Sequence, residues 1–179
     1  EAIPCMAHCP AHVDISGYIA LIADKKYDAA VQLIRKDNPF PTACAFICNH
    51  VCEKACRRTM VDEPVNIRGL KRYAVDKGGK LPPPVAAPAT GKKVVVVGGG
   101  PSGLTAAYYL QLMGHSVTVL ERLHDLGGMM RYGIPSYRLP RERLDDDIKH
   151  ILSTGIKVKY GVKVGKGITL QQLRKKYDA

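Results

Sequence analysis

Apolar residues return along this chain in two different rhythms, and each predicts a different kind of element. In the first third, Ile15, Ile19, Ile22 and Ala23, then Ala30, Val31 and Ile34, recur at helical spacing on either side of a polar break at Asp24-Lys25-Lys26. Ser16 is positioned to cap the first of these helices, and Asn38-Pro39-Phe40-Pro41 stops the second. A further helix is predicted over residues 66–77, ending at Gly78-Gly79. The segment 78–92, GGKLPPPVAAPATGK, has neither rhythm, and its three consecutive prolines favour a stiff polyproline connector. The pattern then changes. Val94-Val95-Val96-Val97 is the unbroken apolar run of a strand buried in a parallel sheet. A helix is predicted over 104–113 with Gly114 as its stop, and a second strand over 117–120. The domain reading is therefore an all-α part over 1–78, a linker over 79–92, and a βαβ part over 93–179. No internal repeat is evident.

Composition narrows the class. With 46% apolar and 24% charged residues in 179, the chain is globular rather than disordered. Twenty-seven Lys and Arg against 16 Asp and Glu give a net charge of +11, which favours an acidic partner or an anionic ligand. The positive charge is spread rather than blocked, so nucleic acid is not the expected partner. Lys157, Lys159, Lys163, Lys166, Lys175 and Lys176 read as a solvated face, and Asp145-Asp146-Asp147 as decoration on an exposed helix. Residues 94–120 lack Asp, Glu, Lys and Arg, but three glycines, a proline and two strand-like runs exclude a lipid-facing helix there. With no secretory leader at its start, the chain reads as cytoplasmic, and without an initiator Met as part of a longer polypeptide.

All six cysteines lie in the helical part. Cys5-x3-Cys9-Pro10 matches the close of the bacterial ferredoxin run. Cys44, Cys48, Cys52 and Cys56 follow at a strict four-residue period. On one straight helix Cys44 and Cys56 would stand about 18 Å apart, too far for one compact cluster. The segment must bend, or its sulfurs must be shared with Cys5 and Cys9. Disulfides are disfavoured, because i,i+4 Cβ atoms lie about 5–6 Å apart and a disulfide needs about 3.5–4.5 Å. Zinc remains an alternative, since His8, His12 and His50 lie among the cysteines. Iron–sulfur ligation by Cys5, Cys9, Cys44, Cys48, Cys52 and Cys56 is the reading the pattern favours.

The first strand runs into Gly98-Gly99-Gly100-Pro101-Ser102-Gly103, a G-x-G-x-x-G loop in its proper strand–loop–helix context. Gly98 serves the tight turn, Gly100 the approach of a pyrophosphate, and Gly103 the packing of helix on strand. Glu121, ending the second strand, is placed for a ribose 2′-hydroxyl, and its charge disfavours a 2′-phosphate, so FAD or NAD is expected rather than NADP. Gly127-Gly128 allows backbone to pass close to a cofactor. Arg131 and Arg138 are candidates for a phosphate or a flavin edge. Ser102 lies in the phosphate loop and is not a nucleophile.

The string Asn38-Pro39-Phe40-Pro41 before the cysteines, then Pro64-Val65-Asn66-Ile67-Arg68-Gly69-Leu70, then the glycine loop and the Gly127–Arg138 segment, resembles the glutamate synthase small-subunit family. That family includes the N-terminal region of dihydropyrimidine dehydrogenase and the large subunit of bifurcating NADH-dependent ferredoxin:NADP oxidoreductase. The resemblance implies a helical domain carrying 4Fe-4S clusters, then an FAD domain, then an NAD(P)H domain beyond residue 179. It places Gly98, Gly99, Gly100, Pro101, Ser102, Gly103, Glu121, Gly128, Met129, Arg138 and Val164 against FAD. Members with two clusters carry a further cysteine pair upstream of Cys5 and a Gln or Glu where this chain has Lys71. One 4Fe-4S cluster is therefore favoured, with a second left open. The expected protein is an NAD(P)H oxidoreductase subunit in a hetero-oligomeric complex, exchanging electrons with a partner subunit or an acidic carrier such as ferredoxin. A non-catalytic electron relay or scaffold and a zinc-stabilised adaptor are the alternatives.

Overall fold

A computed structural model describes residues 3–179, which divide into two compact units between Leu81 and Pro82. The first unit is helical: α1 (Pro4–Ala7), α2 (Ile15–Ala23), α3 (Tyr27–Asp37), α4 (Pro41–Ile47), α5 (Val51–Lys54), a 3-10 turn over Arg57–Met60, and α6 (Ile67–Lys77). Its core takes Ile15, Ile22, Ala30, Val31 and Ile34 from the predicted stripe and adds Tyr18, against Ile67 and Ala74 of α6, while Ile19 is half-buried and Ala23 exposed. The cap of α2 is Asp14 rather than Ser16: its carboxylate accepts from Gly17 N at 2.9 Å. A carboxylate two residues earlier reaches the open amide of the first turn, and Ser16 is already inside the helix.

In the second unit, β1 (Lys93–Val97), β2 (Ser116–Leu120) and β3 (Lys157–Lys159) form a parallel sheet in the order β1-β2-β3. Val95 is in register with Thr118, and Thr118 with Lys157. Between them run α7 (Pro101–Leu112), α8 (Met129–Tyr132) and α9 (Arg141–Leu152), and α10 (Leu170–Lys176) follows β3. The other edge of β1 is also in use. Val95 N donates to Ala179 O at 2.9 Å and Asp178 N to Lys93 O at 2.8 Å, so residues 178–179 extend the sheet on that side. A chain that crosses back over β1 and β2 after β3 follows the doubly wound order of dinucleotide-binding folds. The whole is a helical unit followed by an α/β unit.

Three expectations change. Helix α7 starts at Pro101, three residues before Leu104, because proline has no amide to lose at the first helical position. The run Asp145-Asp146-Asp147 is not all exposed: Asp147 is fully buried, Asp145 pairs with Arg131, and Asp146 with Arg143 at 2.9 Å. The proline-rich segment takes neither helix nor strand, but its second half is not free. Ala87 N donates to Leu112 O at 2.8 Å and Thr90 N to Gly114 O at 3.0 Å, tying it to the end of α7. Among the described residues, no helix is long and apolar enough to cross a membrane.

Candidate functional site

The cysteine segment bends where the spacing argument requires it. Helix α4 ends at Ile47, His50 takes a left-handed conformation with φ of 44°, and α5 starts at Val51. A network then staples the turn to the start of α6. Arg68 Nη1 donates to Cys48 O at 2.9 Å, and Arg68 N donates to Glu53 Oε1 at 2.8 Å. His50 Nδ1 stands 2.8 Å from the other oxygen of Glu53. Asn66 caps α6 by accepting from Gly69 N at 2.9 Å, which aims the Arg68 backbone at this network. The Asn66-Ile67-Arg68-Gly69 string is therefore the anchor of the cysteine loop, a role its sequence does not announce.

No disulfide links the six thiols. Cys52 is buried and the other five are partly exposed. Burial pushes the Cys52 thiol above its ordinary value, Cys48 and Cys9 push the same way, and the Lys71 ammonium opposes them. The Tyr18 hydroxyl, which donates to Ile67 O at 3.2 Å, is likewise raised, first by burial and then by Cys52, Cys9, Cys5 and Cys48. Cys52 is buried in the same core as Tyr18, and Cys5 and Cys9 pack against that core. Among the described residues, no three His, Cys, Asp or Glu side chains stand close enough to hold a single metal ion. A zinc ion would need its sulfurs within about 2.3 Å of one centre. A 4Fe-4S core binds each thiolate through a different iron and spreads the sulfurs more widely. Two further features suit an anionic cluster: the His50 amide donates to Cys48 Sγ at 3.3 Å, and Lys71 is buried beside the thiols.

At the C-terminal ends of β1 and β2 a cleft of about 290 Å³ is lined by Val97, Gly98, Glu121, Arg122, Lys163 and Val164, among others. Gly98 has φ of 104°, the left-handed region that favours glycine. Gly103 has no room for a side chain, since a Cβ there would lie 2.0 Å from Gly98 O. Gly100 differs: a Cβ on it would meet only the Gly128 Cα, at 3.8 Å. The space above Gly100 and the start of α7, which carries no side-chain cap, form an open cradle suited to a pyrophosphate. Gly128, with φ of 50°, lies against Gly100 and leads into Met129, which is 71% exposed.

Glu121 does more than the sequence suggests. Its Oε2 accepts from Gly99 N at 2.6 Å and its Oε1 from Leu123 N at 2.8 Å, so the carboxylate clamps the glycine loop. Each oxygen keeps a lone pair for a ribose hydroxyl. Glu121 is only 6% exposed, and Glu121→Gln would turn an amide NH2 toward one of the two backbone donors. The expected result is a loss of about 1–3 kcal/mol in unfolding of the second unit. Denaturant titration checks it, and an unchanged midpoint would show the clamp to be idle. Arg131 is committed internally, to Leu126 O at 2.5 Å and to Asp145, and so is not free for a phosphate. Arg138 is exposed on the turn after α8 and does not line the cleft. Arg122, Val162 and Lys163, which do line it, carry no signal in the sequence pattern.

Residues 1–81 match the family model described as dihydropyrimidine dehydrogenase domain II, 4Fe-4S cluster, and residues 96–164 match an NAD(P)-binding Rossmann-like domain. The chain is 45% identical to an NADPH-Fe(3+) oxidoreductase subunit beta of Geobacter sulfurreducens, over 98% of this chain and 27% of that relative. It is 40% identical to an NADP(+)-dependent formate dehydrogenase subunit beta of Moorella thermoacetica, over 98% and 28%. It is 34% identical to the NAD-dependent dihydropyrimidine dehydrogenase subunit PreT of Salmonella typhimurium, over 98% and 44%. The chain thus spans less than half the length of each of these relatives.

Proposed function

We propose that the chain, which joins a match to the dihydropyrimidine dehydrogenase domain II 4Fe-4S model to a match to an NAD(P)-binding Rossmann-like domain, is the iron–sulfur and FAD-binding portion of an NAD(P)H oxidoreductase subunit. The observation that carries this reading is the packing of Cys5 and Cys9 against the core that buries Cys52, in the same chain as an open glycine cradle. Bound FAD converts a two-electron hydride transfer into single electrons, and a 4Fe-4S cluster relays them one at a time.

The chain's own residues have holding roles. Cys5, Cys9, Cys48 and Cys52 are the ligands in this reading, while the Arg68–Glu53–His50 staple keeps the Cys48–Cys52 turn in place. In the second unit Gly98, Gly99, Gly100, Pro101, Ser102 and Gly103 offer backbone to the pyrophosphate, and Glu121 selects an unphosphorylated ribose. Val164 borders the same cleft, and Gly128, which lies against Gly100, leads into Met129, whereas Arg138 lies outside the cleft lining. The net charge of +11 favours an acidic redox partner within a hetero-oligomeric complex in the cytoplasm.

The test is the content of the anaerobically purified protein, with absorption spectra before and after dithionite. About four irons and four sulfides per cluster, bleaching on reduction, with stoichiometric FAD, is the expected result. Iron and sulfide without flavin would leave an electron relay. Zinc without sulfide would overturn the electron-transfer reading.

A further inference from the structure

We infer that Lys71 is the built-in counter-charge of the cluster module, a buried ammonium that stabilises the more negative, reduced form of the group the cysteines hold. The inference rests on the iron–sulfur reading above and adds to it a residue that sets the reduction potential.

Lys71 lies on α6 and is 7% exposed. Lysine is almost never buried unless paired, because an ammonium withdrawn from water loses its hydration and gains nothing in an apolar core. Among the described residues no carboxylate pairs with it. Glu53 is taken by His50 and Arg68, and Asp76, the other acid on α6, by Arg72 at 2.7 Å. The nearest aromatic face is Tyr18, whose ring centre is 5.9 Å from Nζ, and an uncharged ring does not neutralise a cation. What shares that core instead is the thiol set: Cys52 is buried with Tyr18, Cys5 and Cys9 pack against them, and the Lys71 ammonium acts on the Cys52 thiol. The anion that compensates this lysine is then the thiolate-bound cluster.

A fixed positive charge beside a redox group favours whichever state carries more negative charge. Reduction adds one electron from the titrant and no proton, so the reduced state gains more from Lys71 than the oxidised state does. The His50 amide that donates to Cys48 Sγ acts in the same direction.

The experiment is an anaerobic potentiometric titration of the protein, followed by absorption and electron paramagnetic resonance, with iron and sulfide measured on each sample. Lys71→Met and Lys71→Leu are expected to keep iron and sulfide and to weaken the reduction equilibrium at least tenfold, a midpoint more negative by about 59 mV for one electron. Lys71→Arg, which keeps the charge, is expected to stay within threefold of the unaltered protein. Arg72→Gln is the control, because Arg72 is one residue away but exposed and already paired with Asp76. It removes the same unit charge and is expected to move the midpoint less than twofold. An unchanged midpoint in the neutral variants with full iron overturns the inference. If both neutral variants lose iron while Lys71→Arg keeps it, the charge is required to hold the cluster and the inference stands. If all three lose it, Lys71 acts by packing and the inference fails. Absence of iron and sulfide from the unaltered protein would instead sink the iron–sulfur reading itself.

Discussion

Replacing Gly100 by valine is expected to abolish FAD binding while the second unit still folds. A Cβ at Gly100 meets nothing nearer than the Gly128 Cα at 3.8 Å, and its φ of −81° lies in extended backbone that any residue adopts. The apo protein therefore accommodates the first added carbon, and the isopropyl group fills the cradle over the start of α7. Gly103→Val is the contrasting variant. Its Cβ would fall 2.0 Å from Gly98 O and 3.3 Å from Val96 Cγ1, so β1 and α7 would have to separate. Overpacking of this kind costs about 1–3 kcal/mol or more, and here it strikes the contact on which the unit is built. Gly103→Val is expected to lower the unfolding midpoint sharply, and Gly100→Val to leave it nearly unchanged with flavin below a tenth of stoichiometric. Far-ultraviolet dichroism, thermal unfolding and released flavin distinguish the two. Gly100→Val with full flavin would refute the loop assignment.

Cys52→Ser is expected to remove the cluster, and Cys44→Ser to spare it. Cys52 is buried in the core that Cys5 and Cys9 pack against, and serine replaces a thiolate by a hydroxyl that remains protonated and binds iron poorly. Cys44 sits on α4 and is only half-buried. Iron and sulfide per chain are expected to fall to less than a tenth of the unaltered value in the first variant and to change by less than a fifth in the second. The visible absorbance bleached by dithionite should follow the same order. Equal loss in both variants would show that the four-residue period, rather than the core that buries Cys52, selects the ligands.

The dinucleotide loop was the more legible part. Val94 to Val97 followed by three glycines leaves few alternatives, because only glycine permits the turn and the approach that follow, although Val94, Val95 and Val96 are only half-buried and Val97 is 56% exposed at the sheet's end. The bend in the cysteine segment was legible for a similar reason: helical rise spreads four sulfurs too widely, so the chain has to break. Where it breaks, at His50, was not. Nor does the spacing single out ligands among the six cysteines, since the period from Cys44 to Cys56 treats all its members alike and Cys5 and Cys9 are distant in sequence.

By itself the sequence determined the order of the two units, the helical and strand rhythms, the glycine turn and the class of sulfur chemistry. Those follow from spacing along the chain, where local sterics and burial of one face act within a few residues. Only the tertiary structure decided which side chains share a centre. It closed Glu121 onto Gly99 and Leu123, spent Arg131 on Asp145, buried Asp147, and set Lys71 among the thiols without a carboxylate. A charged residue reads the same in sequence whether it faces water or core, and the free energy of that difference depends on neighbours that come from distant parts of the chain.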